Sequence, residues 1–385
     1  MTEREQKYYR QGFLHGRDQK CAAKATTLVL RQSLATTLRV PEAEAVRRTV
    51  VDYQRRLDAQ PPLTRYPELK GMRECIVAYD QGAADGSGVP LEDVILRANY
   101  LHTITASLRT EPPHQTSLCA TTGPGCTLAY FPRSDRGPLV ANNNDGTINH
   151  LHRLEPFWIV ANRAEVILGT VSSGLFEDEV SPERFPAPVF LMVDELCGTT
   201  SEAVDLLTRL NLFWGPCNTL VADRQGDSAI IEKSTCRYGL RKSADGFCAT
   251  TEMSAEEPKY KAYLWETRER SIRNRGLTHD SADWAYWKAA ERRSARLLSL
   301  VKEASKAPTF GKMEAIIYDH TGQPDQVHMD GSKCHPDQEA GEWSIRTAIW
   351  VVNERAAQYS FAEPPVSGHL TPRHWKKYEN VELVF

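Results

Sequence analysis

Cys126 stands where a thiol could do chemistry, within the stretch GPGCTLAYF at residues 123–131. The preceding Gly-Pro-Gly favours a turn, and Gly125 has backbone freedom that other residues lack. The residues after Cys126 have the composition of a β-strand. The thiol is therefore expected at the head of a strand, just after a turn, where it can reach the carbonyl group of Gly125.

Attack of the Cys126 thiol on the Gly125 carbonyl would be an N-to-S acyl shift, and water would then cut the chain between these two residues. The new N-terminal α-amino group has a pKa of about 7.7–8.0, so it can deprotonate the thiol at neutral pH. This is the chemistry of N-terminal nucleophile hydrolases, in which one residue provides both nucleophile and base. The alternative is a buried cysteine that behaves as a small apolar side chain.

Further motifs accompany this cysteine. GCT at residues 125–127 is followed by GPLVANNND, in which Asp145 lies 19 residues past Cys126. Together they resemble the acyl-CoA:6-aminopenicillanic acid acyltransferase family of autoproteolytic N-terminal nucleophile enzymes, which has a Gly-x-Asn-x-Asp motif on the neighbouring strand. Other stretches are similar to family segments in the same order: YRQGFLHG, YPELKGMRECIVAYDQGA, NTLVADRQGDSAIIEKS, YDHTGQP and RTAIWVVNERAAQYSFAEPP.

The resemblance implies roles for several side chains. Asn143 and Asp145 match the Asn and Asp of the motif, and Asp145 would serve both self-cleavage and turnover by orienting the new amino group. The alternative for Asp145 is a turn residue that caps its own backbone. Asn142 stands where relatives have Gln or Arg and would help to hold the substrate. Arg346 is a candidate polar residue near the thiol, with Ser344 as an equal alternative.

One departure from the family concerns the oxyanion hole, the set of donors that stabilises the negative oxygen of the tetrahedral intermediate. Relatives usually have an Asn donor where this sequence has Thr251, within GFCATTEMS. A hydroxyl reaches less far than an amide, and the loss of one donor costs about 3 kcal/mol of transition-state stabilisation. Either another donor such as Asn218 completes the hole, or the substrate differs from that of the penicillin enzyme.

The order of helical and strand patterns predicts an α+β protein. Helical periodicity dominates from residue 17 to the region before Cys126, whereas short β-type segments dominate after it. NTLVADRQGDSAIIEKS and SIRTAIWVVNERAAQYSFAE each indicate a β-hairpin, and Ser201 is a candidate helix N-cap. The resemblance implies the four-layer αββα sandwich of N-terminal nucleophile hydrolases. Residues 1–125 would form a helical front chain and residues 126–385 the catalytic chain, packed on one core.

Composition limits the classes of partner. The 385 residues include 47 basic and 50 acidic side chains, for a net charge of −3. This balance predicts neither nucleic acid nor a membrane as a partner. No secretory signal or membrane span is expected, and the nine scattered cysteines favour a reducing, cytoplasmic location. A small-molecule amide or acyl donor is the expected partner, with a homodimer as an option, and no cofactor is expected.

Other residues of the sequence offer two alternative chemistries, a metal site and a papain-like Cys–His pair. The stretches NHLHR and CHPD contain metal-ligand residue types, but they lack the spacing of a zinc site, so no metal is expected. A papain-like pair with Cys126 would need a histidine base, for which the candidates are His150, His152 and His320. The sequence around Cys126 lacks the local signature of such proteases.

Amide hydrolysis is the expected activity, with Cys126 forming an acyl-enzyme that water then hydrolyses. Two alternatives stay open. An amine in place of water would make the protein an N-acyltransferase or amide synthase of natural-product metabolism. A defective oxyanion hole would make it an inactive binding module on the same fold.

Overall fold

A computed structural model describes most of the chain. It defines residues 1–18, 20–59, 63, 66–99, 126–147, 166–172, 189–210, 217–223, 225–233, 237–242, 247–251, 256–274, 278, 280, 282–321, 326–329, 342–354, 356–361 and 372–377. Gly125, His150, His152 and the CHPD stretch lie outside these residues.

Helices account for nearly all of the described chain before Cys126. The helices of the described residues are α1 (Glu3–Asp18), α2 (Lys20–Leu38), α3 (Glu42–Asp58), α4 (Met72–Ser87), α5 (91–99), α6 (Val189–Leu196), α7 (Thr200–Arg209), α8 (Pro258–Asn274), α9 (Ala282–Ala304) and α10 (Phe310–Ile317). Short 3-10 helices cover Pro67–Leu69 and Val352–Glu354. None of these described helices combines the length and the apolar character needed to cross a bilayer.

The starts of two helical segments differ from the sequence analysis. The helical region expected from residue 17 is confirmed by α2, but α1, which begins at Glu3, was not predicted. The N-cap of α7 is Thr199, whose hydroxyl accepts a hydrogen bond from the backbone N–H of Glu202 at 3.2 Å. Ser201 lies inside the first turn of that helix, two positions past the N-cap, and so does not cap it.

Ten strands of the described chain form two antiparallel sheets. The strands are β1 (Thr127–Phe131), β2 (Leu139–Thr147), β3 (Val166–Ser172), β4 (Cys217–Asp223), β5 (Ser228–Lys233), β6 (Tyr238–Arg241), β7 (Cys248–Thr251), β8 (Glu342–Val351), β9 (Ala356–Phe361) and β10 (His374–Lys377). The six-stranded sheet has the order β10-β9-β8-β2-β1-β7, and the four-stranded sheet has the order β3-β4-β5-β6. Both predicted hairpins are confirmed, as β4–β5 and β8–β9.

Three apolar clusters define the layers. The first packs α1, α3, α4, α6 and α7 on the four-stranded sheet through Val221 and Ile231. The second packs α9 and α10 on the six-stranded sheet, with Ala129 among its strand residues. The third fills the space between the sheets, with Leu128 from one sheet and Leu220 from the other. The order helix, sheet, sheet, helix confirms the predicted four-layer αββα sandwich.

Helices α1 and α4 touch through their backbones, because each presents glycines spaced four residues apart. A Cβ atom on Gly12 would lie 2.0 Å from the carbonyl oxygen of Tyr79, and one on Gly82 would lie 2.0 Å from that of Tyr9. Gly16 and Gly86 make the equivalent contacts one turn further along, at 2.1 Å each. The glycines of YRQGFLHG therefore let two helix backbones approach closely, which larger residues would prevent.

Gly12→Ala should destabilise the protein, because the added methyl group meets backbone rather than a movable side chain. We expect the free energy of unfolding to fall by about 1–3 kcal/mol, the usual cost of overpacking, in urea denaturation. Gly311→Ala in α10 is the matched control, since a Cβ there meets nothing within 4 Å. That substitution should be neutral or stabilising by about 0.5–1 kcal/mol. Equal effects of the two substitutions would contradict the role assigned to the glycine contact.

Candidate active site

Cys126 lies immediately before β1, with its side chain in the apolar cluster between the two sheets. Leu128 and Tyr130 of β1 belong to the same cluster, whereas the alternate residue Ala129 faces α9 and α10. Cys126 is 7% exposed and forms no disulfide. The thiol is thus at the head of a strand, as expected, and its role as a nucleophile stays a prediction.

The side-chain amide of Asn144 contacts this thiol. Nδ2 of Asn144 donates to Sγ of Cys126 across 3.5 Å. The contact follows from strand pairing, because β1 and β2 run antiparallel with Thr127 opposite Asn143, which sets Cys126 beside Asn144. Asn144 is only partly buried. The thiol and the amide therefore form a pair of neighbouring polar groups at the edge of the inter-sheet cluster.

Arg346 occupies the next position in the same row of side chains. Strand β8 pairs with β2 so that Arg346 lies opposite Asn144. Ala348 and Trp350, which alternate with Arg346 along β8, belong to the inter-sheet cluster. Because alternate residues of a strand share a face, Arg346 is placed on the same face of the sheet as Cys126. A thiol, an amide and a guanidinium thus follow one another across β1, β2 and β8.

Asp145 belongs to the opposite face of the six-stranded sheet, toward α9. Its carboxylate is fully buried and forms an ion pair with Arg293, whose side chain is 3% exposed. Nη2 of Arg293 also donates to Oγ1 of Thr127 at 3.0 Å and to the carbonyl oxygen of Val327 at 2.6 Å. One nitrogen of Arg293 is therefore hydrogen-bonded to β1, to β2 and to the segment 326–329. The predicted action of Asp145 on the amino group of Cys126 stays a prediction.

A β-bulge in β8 sorts two candidate residues onto different faces. Asn144 pairs with Arg346, but Asp145 pairs with Ser344, so residue 345 is extra on β8. Past the bulge, the hydroxyl of Ser344 points to the α9 side and donates to Oδ1 of Asp145 at 2.6 Å. The sequence offers Ser344 and Arg346 as alternatives for one polar position near the thiol. In the structure they occupy two positions: Ser344 contacts Asp145, and Arg346 lies beside Asn144.

Asn142 and Asn143 bind backbone groups. Nδ2 of Asn142 donates to the carbonyl oxygen of Thr127 at 3.1 Å, a second link between β1 and β2. Asn143 is fully buried, and its Nδ2 donates to the carbonyl oxygens of Ile317 at 2.9 Å and of Val327 at 3.1 Å. Asn143 thereby fastens the end of α10 to β2. These contacts support the structure around the thiol, and the predicted substrate contact of Asn142 stays a prediction.

The two predicted oxyanion donors lie on different sheets. Thr251 is the last residue of β7 and pairs with Thr127 in the six-stranded sheet. Asn218 lies in β4 of the facing sheet, and its Nδ2 donates to Oγ1 of Thr250 at 2.9 Å. Both members of that bond are buried, so it is a polar bridge across the inter-sheet space. Whether Thr251 or Asn218 donates to an oxyanion stays a prediction.

His320 lies away from the thiol. Its ring packs against that of His328, with centroids 4.7 Å apart, and His328 in turn stacks on Tyr318. Tyr318 belongs to the apolar cluster with α9 and α10, on the far side of the six-stranded sheet from Cys126. This arrangement does not bring His320 to the thiol for a papain-like pair. In the part of the chain that the structure describes, no group of three or more His, Cys, Asp or Glu side chains could hold a metal.

Sequence reasoning missed Asn144 and Arg293. The period of two along β2 could have found Asn144, since it places residues 142 and 144 on one face. Helical periodicity could have found Arg293, because it lies four residues from both Ala289 and Leu297, which are buried. A charged residue within such an apolar stripe requires a buried partner.

The chain matches no protein-family model, and no curated protein is significantly similar to it. Solved structures similar to it include a mutant of conjugated bile acid hydrolase from Clostridium perfringens, at 11% identity and a TM-score of 0.36, covering 66% of this chain and 97% of that chain. Another is a variant of the same hydrolase, at 11% identity and a TM-score of 0.33, covering 66% of this chain and 89% of that chain.

The ion pair behind the thiol predicts a pH-dependent stability. Burial raises the pKa of the Asp145 carboxyl, while the charge of Arg293 and the hydroxyl of Ser344 lower it. Arg293→Met should raise this pKa further and reduce the free energy of unfolding at neutral pH by about 3–5 kcal/mol. A carboxyl whose pKa is higher in the folded state stabilises the fold at low pH and loses that effect as the pH rises. The deficit relative to wild type should therefore shrink between about pH 7 and about pH 5 in urea unfolding.

The control for this prediction is Arg292→Met, at an exposed position one residue away in α9. It should change the free energy of unfolding by no more than about 0.5 kcal/mol. Combining Arg293→Met with Asp145→Asn should recover much of the lost stability, because no buried carboxylate then lacks its counter-charge. A deficit that is the same at every pH would contradict the interpretation.

Proposed function

We propose that the protein is a cysteine amidohydrolase of the N-terminal nucleophile class, matured by cleavage between Gly125 and Cys126. The observation that carries the proposal is the position of Cys126: its thiol lies between the two sheets, directly before an internal strand and beside an amide donor. Cleavage before Cys126 would free an α-amino group on the same residue, within reach of the thiol proton. The resemblance of GCT and ANNND to a self-cleaving family supports the same assignment.

The proposed reaction has two halves. In acylation, the amino group of Cys126 takes the thiol proton, and Sγ attacks the carbonyl carbon of the amide. The C–N bond then breaks, and the leaving amine receives that proton. In deacylation, the same amino group takes a proton from the water that attacks the thioester. The C–S bond then breaks to release the acid, and the proton returns to Sγ. These steps need no metal or organic cofactor.

A small-molecule amide in the cytoplasm is the proposed substrate. Water is the proposed acceptor because it is always present and no segment of the sequence resembles a dedicated coenzyme A site. Product analysis with and without an added amine separates hydrolysis from acyl transfer. Release of the free acid at an undiminished rate in the presence of the amine supports hydrolysis, whereas formation of a new amide would make the protein a transferase.

The two chains of the proposed mature form would stay associated. Arg4 in α1 forms an ion pair with Glu195 in α6 at 2.8 Å, and the hydroxyl of Tyr8 donates to the same carboxylate at 2.8 Å. The apolar cluster on the four-stranded sheet also contains residues from both sides of the cut. These contacts support the proposal that residues 1–125 and 126–385 would pack on one core.

Maturation provides a test that needs no substrate. The purified wild-type protein, boiled in denaturant, should separate into fragments of 125 and 260 residues, the lengths on either side of the Gly125–Cys126 bond. Without denaturant the fragments should elute as one particle. Sequencing of the larger fragment should begin Cys-Thr-Leu-Ala.

Two variants control the maturation test. Cys126→Ala removes the nucleophile and should remain a single chain. Cys126→Ser should cleave slowly and lose most turnover, because an alkoxide forms less readily than a thiolate. A wild-type protein that hydrolyses amides as one intact chain would refute the mechanism, since Cys126 would then lack its own amino base.

A further inference from the structure

We propose that Asn144 is an oxyanion donor. The amide N–H that contacts the thiol in the free protein would donate to the negative oxygen of the tetrahedral intermediate. This inference rests on the proposed function, because it requires Cys126 to be the nucleophile. The sequence offers Thr251 and Asn218 as candidate oxyanion donors, and this inference assigns that role to Asn144 instead.

The distance between the amide and the thiol supports this role. In the intermediate, the attacked carbon is bonded to Sγ, so the oxyanion is two bonds from the sulphur. Nδ2 of Asn144 is 3.5 Å from Sγ. An oxyanion donor must lie about 2.7–3.1 Å from the oxygen it stabilises. The amide is close enough to make that bond by rotation of its own side chain, without movement of β2.

The surroundings of Asn144 favour the same role. Strand β2 is internal, held by β1 on one side and β8 on the other, so the donor is on a rigid element. Arg346 lies opposite Asn144, and its positive charge favours a negative oxygen nearby. By contrast, the amide of Asn218 already donates to Thr250 across the sheets. The amide of Asn144, in comparison, contacts the sulphur itself.

The bond changes in this step balance. The thiolate electron pair forms the C–S bond, and the π pair of the carbonyl moves to its oxygen, which accepts the N–H of Asn144. The pair then returns to restore the carbonyl as the bond to the leaving group breaks. Asn144 keeps its proton throughout, and nothing is oxidised or reduced.

Two reagents separate a donor to the oxyanion from a group that only affects the thiol. p-Nitrophenyl acetate acylates a thiolate through a tetrahedral oxyanion and releases p-nitrophenolate. Iodoacetamide alkylates the same thiolate by displacement of iodide, with no oxyanion. Both rates are measured on Cys126 of the purified, matured protein with its two chains together, by peptide mass analysis, at a pH where the thiol is fully ionised. The ratio of acylation to alkylation then cancels differences in access and ionisation.

Asn144→Leu should lower this ratio about a hundredfold, the usual effect of losing one oxyanion donor. Asn144→Asp is a second variant of almost the same size that also lacks the N–H donor, and it keeps the test valid if the leucine variant fails to fold. It should lower the ratio at least as much. Ser228→Ala is the matched control, since the Ser228 hydroxyl contacts Sγ of Cys248 at 3.3 Å in the same inter-sheet layer. That control should leave the ratio unchanged.

The outcomes distinguish the inference from the proposed function. If wild-type Cys126 is acylated but neither Asn144 variant changes the ratio, the inference is wrong and the proposed function stands. Equal slowing of both reactions would likewise overturn it, because the amide would then act on the thiol alone. If wild-type Cys126 is alkylated but never acylated, both the proposed function and the inference fail.

Discussion

The register in which β1 pairs with β2 is the constraint on which the rest of the site depends. Thr127 lies opposite Asn143, and every neighbouring pair follows from that match. A slip of one residue would turn each side chain of one strand to the other face of the sheet. A slip of β1 would take Cys126 out of the inter-sheet space, and a slip of β2 would take Asp145 away from its place behind the sheet. The register therefore separates the face that carries Cys126 from a supporting face that carries Asp145 and its hydrogen-bond partners.

Buried polar contacts on the supporting face hold this register. Nη2 of Arg293 bonds both Thr127 and Asp145, so a shift of β1 along β2 would break at least one of these bonds. Asn143 bonds the backbone at the end of α10, which opposes a shift of β2 itself. Buried charges rarely add net stability, but breaking such a pair is costly. A change of register would therefore break buried polar contacts as well as the strand pairing.

Local sequence patterns were sufficient for much of the fold. Alternating residues around the RQGD turn predict the β4–β5 hairpin, and Val46, Tyr53 and Leu57 at helical spacing are buried on one face of α3. The start of α1 could not be predicted in this way. Gly12 and Gly16 have low helix propensity, and their helix depends on contact with α4, more than sixty residues along the chain.

The site was predictable only in part, for a similar reason. Local sequence is enough to infer that Cys126 lies at the head of a strand and that Asp145 lies on the next strand. The division of Ser344 and Arg346 between two faces depends on a bulge, which exists only in the pairing of β8 with β2. Arg293 reaches the site from a helix far along the chain, so only its place in an apolar stripe marks it. Local sequence patterns therefore did not predict the features of the site that depend on contacts between distant segments.

The internal position of β1 has a consequence for the chain end that maturation would create. Chain termini usually fray, because few contacts oppose their local opening. Here the new terminus would begin a strand that is hydrogen-bonded to β2 on one side and to β7 on the other. Its amino group would keep a nearly constant position relative to the thiol of the same residue. The effective molarity of the base would thus be set by strand pairing, and little entropy would remain to be lost in the reaction.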